Sequence, residues 1–443
     1  MILNPDSYIH MPEESVIQQG NTQNQLRLGI PRVRSNSLLR QLLMAMDIPL
    51  LVVTATLLII GLMMVYSATL DWSYQLFGSV GSILKQQLRN AAIGSMILFA
   101  FTFMDYRIWK KWIIPALILT IALLVMVLFY GDDTLINARR SLIGGSIQPG
   151  EVAQLVTVVY LATWLSTNHG RIRSITLGLL PYLAIVGIIA GLIFLQPDLT
   201  TVAIIISVSF AMFFLSGATM KQLFLMLVLG LIILALILVS GSDALSYVGE
   251  RVDHFVRGLD SLSAADYHSR QARIAFRNGG MLGLGIGNSL QKFAGRLPAP
   301  HTDYIFAILV EELGVVGGMA VIGLYIVFAY RGYLIALRAK DSLGSLLAIG
   351  ITTMVITQAM VNIAVMASLL PASGVPLPFI SYGGSSLVTM LSSVGLLLSV
   401  NRVNVVEATR RGRSIDFAHH DRSRRNWRSS IPRFGHRRSA YRP

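Results

Sequence analysis

Ionisable side chains and pliable backbone meet in the run from Asn278 to Gly318, NGGMLGLGIGNSLQKFAGRLPAPHTDYIFAILVEELGVVGG. A glycine-rich loop leads through Pro298 and Pro300 to His301, Thr302 and Asp303, and an apolar segment follows with Glu311 and Glu312 inside it. A carboxylate where a helix begins is favoured in its anionic form by the helix dipole and can also serve as an ordinary N-cap. Acids about two turns further into an apolar segment are costly in lipid and must find partners or work. On an ideal helix Glu311 and Glu312 lie about 80° and 180° around from Asp303, so the three cannot share one face, and at least one glutamate must be partnered inside a bundle. His301 beside Asp303 could suggest a metal pair, but a lone histidine next to a cap is more often a surface hydrogen-bonder.

Three other stretches carry chemistry-bearing residues. Gly131–Gly150 holds Arg139, Arg140, Gln148 and Pro149, with Glu151 beginning the next apolar segment. Guanidinium forks suit phosphate oxygens, on a substrate or on a lipid headgroup. Gln196, Pro197 and Asp198 form a tight turn in which proline and aspartate also serve as helix stop and N-cap. Leu369–Ser386, LLPASGVPLPFISYGGSS, is broken by Pro371, Pro376, Pro378, Gly383 and Gly384. Interrupted helices at membrane depth are tolerated where they line a cavity, so this run reads as a site wall or a rigid hairpin.

The elements that position these groups follow from composition. Apolar residues make up 54% of the 443 and charged residues only 13%, about half the share of a soluble domain. The reading is an all-α polytopic membrane protein with about ten transmembrane helices and one large extracytoplasmic loop. Apolar segments fall at 48–69, 87–104, 113–130, 151–166, 176–195, 199–216, 222–240, 303–330, 344–370 and 379–400. They delimit a polar tail, 1–46, a membrane domain, 47–401, with its large loop at 241–302, and a basic tail, 402–443. An even number of spans puts both termini on one side. The cytoplasm is that side, because Arg107, Lys110, Lys111, Arg171, Arg173, Lys221, Arg331, Arg338, Lys340 and the twelve arginines from Arg402 to Arg442 then lie inside. The loop at 241–302, about 60 residues, translocates despite its charge. Membrane orientation thus accounts for the net charge of +14, without nucleic acid. The absence of cysteine excludes disulfides and thiolate chemistry. GLGIG at Gly283–Gly287 lacks the strand and βαβ setting of a dinucleotide fingerprint.

The runs LPAPHTDYIFAILVEELG, QPGE, QPDL, QAMVNIAVMASLLP and PLPFISYGGSS, in this order-specific setting across ten spans, resemble the SEDS family of bacterial cell-wall polymerases, which includes FtsW, RodA and SpoVE. The run Gly283–Lys292 is more similar to the division members than to the elongation members. The resemblance implies a peptidoglycan glycosyltransferase of the bacterial cytoplasmic membrane that polymerises lipid II on the outer face, in division. A class B penicillin-binding protein transpeptidase, other divisome membrane proteins and membrane lipid are implied with it as partners. It assigns catalysis to Asp303 and substrate contacts to Arg139, Arg140, Glu151, Gln196, Asp198, Asn288, Lys292, His301, Ser381, Tyr382, Gly383, Gly384 and Ser385. Asp303 and Glu151 are also the expected holders of a divalent cation, Mg2+ or Mn2+. The chain departs from the family pattern at Gly150, at Gln154 where a lysine is common, and at Ala299. The rival readings are an elongation polymerase, a scaffold that recruits a partner, and a lipid-precursor flippase or transporter, which broken helices and intramembrane acids would also serve.

Overall fold

The computed structural model describes residues 46–131, 148–239, 249, 253, 255–257, 267–293, 297 and 300–429. All belong to one compact unit, Ala45–Pro443. Among the described residues every regular element is helical: α1 (Ile48–Phe77), α2 (Ser82–Phe103), α3 (Trp109–Tyr130), α4 (Pro149–Thr167), α5 (Leu180–Phe194), α6 (Leu199–Leu215), α7 (Met220–Val239), α8 (Tyr267–Gly279), α9 (Ile305–Arg338), α10 (Ser342–Met366) and α11 (Gly384–Ser429).

Each apolar segment of the sequence falls on one of these helices. Six regions are long and apolar enough to cross a membrane: Ile48–Gln75, Tyr106–Tyr130, Ile175–Phe194, Ile305–Arg338, Ser342–Met366 and Gly384–Ala408. α2, which carries Lys85 and Arg89, and α4, α6 and α7 are more polar or shorter. Two boundaries differ from the sequence expectation for a local reason. α10 stops at Met366 ahead of its prolines, and α11 starts only at Gly384, because Phe379 turns through a positive φ of 67° before the double glycine. The large loop contains a helix that was not foreseen, α8, which packs along α9.

The bundle is built around α11. Of the apolar window of Gly384–Ala408, 83% is buried, against 28% for Tyr106–Tyr130, so α11 runs through the centre and α3 lies at the rim with Phe129 and Tyr130 exposed. α11 packs most extensively on α2, and α10 joins α4, α6 and α9. At one end of the bundle, charge pairs fasten helix termini. Asp47 caps α1 by accepting from the Leu50 amide at 3.0 Å and holds Arg331 of α9 at 2.6 Å. Arg107 bridges Asp341, the α10 cap, at 3.2 Å and Glu407 of α11 at 2.6 Å.

Candidate functional site

The acids of α4, of the α5–α6 turn and of the segment before α9 come together at the other end of the bundle. Pro149 opens α4, so Glu151 lies in its first turn, and it is buried. Ser385, at the start of α11, donates to Glu151 Oε2 at 2.9 Å and accepts from the Gln148 amide at 3.0 Å, tying the two helix starts together. The other carboxylate oxygen, Oε1, is buried with no hydrogen-bond partner. Asp198 caps α6 as expected, accepting from the Thr201 amide at 3.2 Å and its hydroxyl at 2.8 Å. The charges of Asp198 and Asp303 both reach Glu151.

A polar cleft of about 500 Å3, including its open mouth, runs between these elements. Glu151, Asp198, Gln196, Gln148, Gln154 and Gln358 line it, with the Gly374–Pro376 backbone opposite. Gln196 is itself anchored by donating to the Leu124 carbonyl at 3.0 Å. Among the described lining residues there is no lysine or arginine. A cationic influence on the neighbouring loop comes from Arg89 of α2, whose charge reaches Tyr382. The expected Arg139 and Arg140 lie outside the described residues.

The segment carrying Asp303 is held through its main chain. Ser381 Oγ donates to the Thr302 carbonyl at 2.6 Å and accepts from the Leu377 amide at 2.7 Å. The Tyr382 amide donates to the His301 carbonyl at 2.8 Å. Asn362 Nδ2 donates to the carbonyls of Asp303, at 2.8 Å, and Val375, at 2.7 Å, and Gln358 Nε2 donates to Pro376 at 3.1 Å. Gln87 of α2 reaches both the Ser381 carbonyl, at 3.2 Å, and the Gly383 amide, at 3.5 Å. The broken run is therefore a clamp on the Asp303 segment, and Gly383 and Gly384 serve it through backbone.

Several expectations are corrected. The N-cap of α9 is Tyr304, so Asp303 lies one residue ahead of the cap. His301 is no surface group: it is packed between Trp72 and Tyr382, with ring centroids at 6.0 and 5.3 Å. Burial lowers its imidazole to about 4, so it is neutral near pH 7. Lys292 and Asn288 are not brought to the cleft. Lys292 is buried, with Nζ 3.7 Å from Glu312 and donating to the Gly287 carbonyl, and Asn288 donates to Leu284 at 3.0 Å. That loop supplies partners to both glutamates of α9, with Glu312 Oε2 left without a hydrogen-bond partner. Glu312 Oε1 accepts from Ser67 at 2.6 Å and the Ser289 amide at 3.4 Å. Glu311 accepts from Asn278 at 2.9 Å, from the Gln291 amide at 3.2 Å and from the Ser289 hydroxyl.

Sequence reasoning passed over Gln358 and Asn362, although two amides four residues apart on an apolar helix lie on one face and signal a polar lining. For a divalent cation the available donors are carboxylate oxygens, which suit a hard ion. No group of three or more His, Asp or Glu among the described residues is placed to hold a metal by itself. One or two carboxylates completed by water and substrate phosphate is nevertheless the usual Mg2+ arrangement, and the cleft fits that pattern.

The family described as "Cell cycle protein" (FtsW/RodA/SpoVE) matches residues 48–405. The chain belongs to this family. It is 39% identical over 363 residues to stage V sporulation protein E of Bacillus subtilis (strain 168), covering 80% of this chain and 97% of that protein. It is 32% identical over 358 residues to the probable peptidoglycan glycosyltransferase FtsW of Trichlorobacter lovleyi, covering 80% and 93%. Among solved structures it is similar to a chain described under "Structural coordination of polymerization and crosslinking by a peptidoglycan synthase complex", at TM-score 0.63 and 26% identity over 81% of this chain and 98% of that one. It is similar also to the rod shape determining protein RodA of Thermus thermophilus, at TM-score 0.59 and 25% identity over 81% and 97%. The FtsW/RodA/SpoVE match covers every residue of the cleft and both of its anchoring helices, α4 and α11, up to residue 405.

Proposed function

We propose that this chain is a peptidoglycan glycosyltransferase that polymerises lipid II in the cytoplasmic membrane, and that the sugar is transferred at the cleft lined by Glu151 and Asp198, with Asp303 near enough for its charge to reach Glu151. The observation that carries the reading is the gathering of those three acids at one end of the bundle, the charges of Asp198 and Asp303 both reaching the buried Glu151, in a chain of this family. Division is the favoured setting, since several relatives are named FtsW. The excess of basic residues in the intervening loops supports cytoplasmic tails, 1–46 and 402–443, and an outward-facing cleft.

Transfer forms a bond between an acceptor 4-hydroxyl oxygen and the donor's anomeric carbon while the bond from that carbon to the pyrophosphate oxygen breaks. Asp303 accepts the hydroxyl proton, and in-line displacement converts an α-linked donor to a β-1,4 glycan. Its segment cannot drift, because the Thr302 and Asp303 carbonyls are fixed by Ser381 and Asn362. The leaving pyrophosphate needs positive charge. Arg139 and Arg140, which precede α4 in the sequence, are assigned to it, together with Arg89, whose charge reaches Tyr382 of the clamp. Glu151 and Asp303 would hold Mg2+ or Mn2+, which when bound would neutralise pyrophosphate charge. Gln154 sets no fixed cation where relatives carry lysine, so the cleft of this chain leans more on those groups. The amides Gln148, Gln154 and Gln358 suit sugar hydroxyls and acetamido groups. A class B penicillin-binding protein is the assigned partner.

The test is glycan synthesis from purified lipid II by the protein in detergent, with and without its cognate transpeptidase and with a divalent cation. Polymer is expected. Absence of polymer in every arm would favour the flippase reading.

A further inference from the structure

The glycine-rich segment before Asp303 has one side built against α9 and the other left apolar and open. Gly283, Gly285 and Gly287 have φ of +80°, +94° and +86°. A Cβ on Gly283 would stand 2.2 Å from the Glu312 carbonyl oxygen, so glycine faces the protein there. The residues between and beside them face away: Met281 is 68% exposed, Leu282 83% and Ile286 57%.

The depth of this surface follows from its hydrogen bonds. α9 breaks at Gly314, whose φ of 74° and ψ of 179° free backbone groups on both sides. The loop takes them up. Leu284 and Gly285 amides donate to the carbonyls of Glu311 and Glu312, each at 3.0 Å, and the Val315 and Val316 amides donate to Gly280 at 3.0 Å and Met281 at 3.3 Å. The loop is thus level with residues 311–316. Arg331, paired with Asp47, marks the charged boundary at the other end of α9. From Arg331 back to Glu311 is about 30 Å of helix at ~1.5 Å per residue, which is the thickness of a hydrocarbon core. The loop therefore sits at the opposite edge of that core. The same level of α9 exposes Val316 and Met319 outward, so the loop's apolar side chains continue the lipid-facing surface of a membrane helix.

We propose that Met281–Ile286 is a membrane-inserted loop, whose Met281, Leu282 and Ile286 side chains enter the acyl-chain boundary of the leaflet on the cleft side. Its chemistry suits that occupant. Residues 278–291 carry no charged side chain. Backbone polar groups are tolerated in such a layer only when paired internally, and here α9, the Asn288 amide on Leu284 and Lys292 on Gly287 do the pairing. The buried cluster of Glu311, Glu312, Ser67, Ser289 and Lys292 then has a purpose: it seals a polar loop onto a helix so that only hydrocarbon faces lipid.

The full-length chain has no cysteine, which makes the test direct. Leu282→Cys and Ile286→Cys are each labelled with a small fluorophore in phosphatidylcholine vesicles, beside Met319→Cys as the lipid-facing reference and His169→Cys as the aqueous one. Quenching is read with nitroxide-bearing acyl chains and with aqueous iodide. Insertion predicts acyl-chain quenching within about twofold of the Met319 label and iodide quenching well below the His169 label, as for an interfacial apolar face. Iodide quenching equal to that of the His169 label, with none from lipid, overturns the proposal. So does shielding from both quenchers, which would mean a protein surface covers the loop. All four positions are exposed, so cysteine leaves the core unchanged.

Discussion

Two groups of acids lie in this molecule within one continuous architecture, and they are treated in opposite ways. Glu311 and Glu312 on α9 are wholly buried; they accept from hydroxyl and amide donors supplied by the glycine-rich loop and by Ser67, the Lys292 ammonium stands 3.7 Å from Glu312, and Glu312 Oε2 is left without a hydrogen-bond partner. Glu151 is also buried and accepts from Ser385, but where Glu312 has a lysine beside it, the charges that reach Glu151 are those of two further acids. Burial of a carboxylate is costly either way. In the first group the cost is offset by partners within the fold, so the acids hold structure. In the second, like charge at Glu151 adds to the cost, which is the condition of a group that awaits a cation, a proton or a substrate.

The sharpest way to break this contrast is to remove one acid from the compensated group. Glu312→Ala leaves Lys292 buried without its counter-charge, and a loss of about 3–5 kcal/mol is expected, read as a lowered thermal midpoint in detergent. Glu151→Gln should do the reverse. The midpoint should hold or rise, because like charge is removed, while polymerisation falls about 100-fold, as for loss of one preorganised polar group in a site. Equal thermal penalties for the two variants would erase the distinction drawn between them.

Smaller effects probe how the third cleft acid is held. Asn362→Ala strips donors from the Asp303 and Val375 carbonyls, at about 2–3 kcal/mol if both stay buried. Its activity loss should exceed that of an equally destabilising change elsewhere, and Asn362→Asp should not rescue, since a carboxylate cannot donate. The smallest effect concerns pH. His301 titrates at about 4 in the fold, against ~6.5 unfolded. The unfolded state therefore takes up its proton first as pH falls, and His301 favours the fold fully above ~6.5 and progressively less down to about 4. At pH 5 the loss is at most about 2 kcal/mol, and His301→Gln should flatten that part of the stability profile.

Much of this was legible in the chain. Hydrophobic runs placed every described helix but α8, and the prolines and Asp198 marked real stops and caps, because those signals are local. The motif carrying Asp303 and the run around Glu151 were also visible as ionisable groups next to apolar segments. What was hidden depends on tertiary partners. Nothing near Lys292 in sequence says that its ammonium belongs to Glu312, nor that His301 is packed by Trp72, more than two hundred residues away. The α9 break at Gly314 looked like one more small residue in a span, since its cause is the loop that replaces its hydrogen bonds. Gln358 and Asn362 were readable as a polar face, but their targets, three backbone carbonyls of two distant segments, were not.

The central claim is that the acids gathered around Glu151 do chemistry and those of α9 hold structure. Its most direct measurement is glycan chain synthesis from purified lipid II by Asp303→Asn beside wild type, with the cognate transpeptidase present and the thermal midpoint recorded for both. The account predicts polymer from wild type and none from the variant, with the midpoints matching. Polymer from Asp303→Asn at the wild-type rate would contradict it.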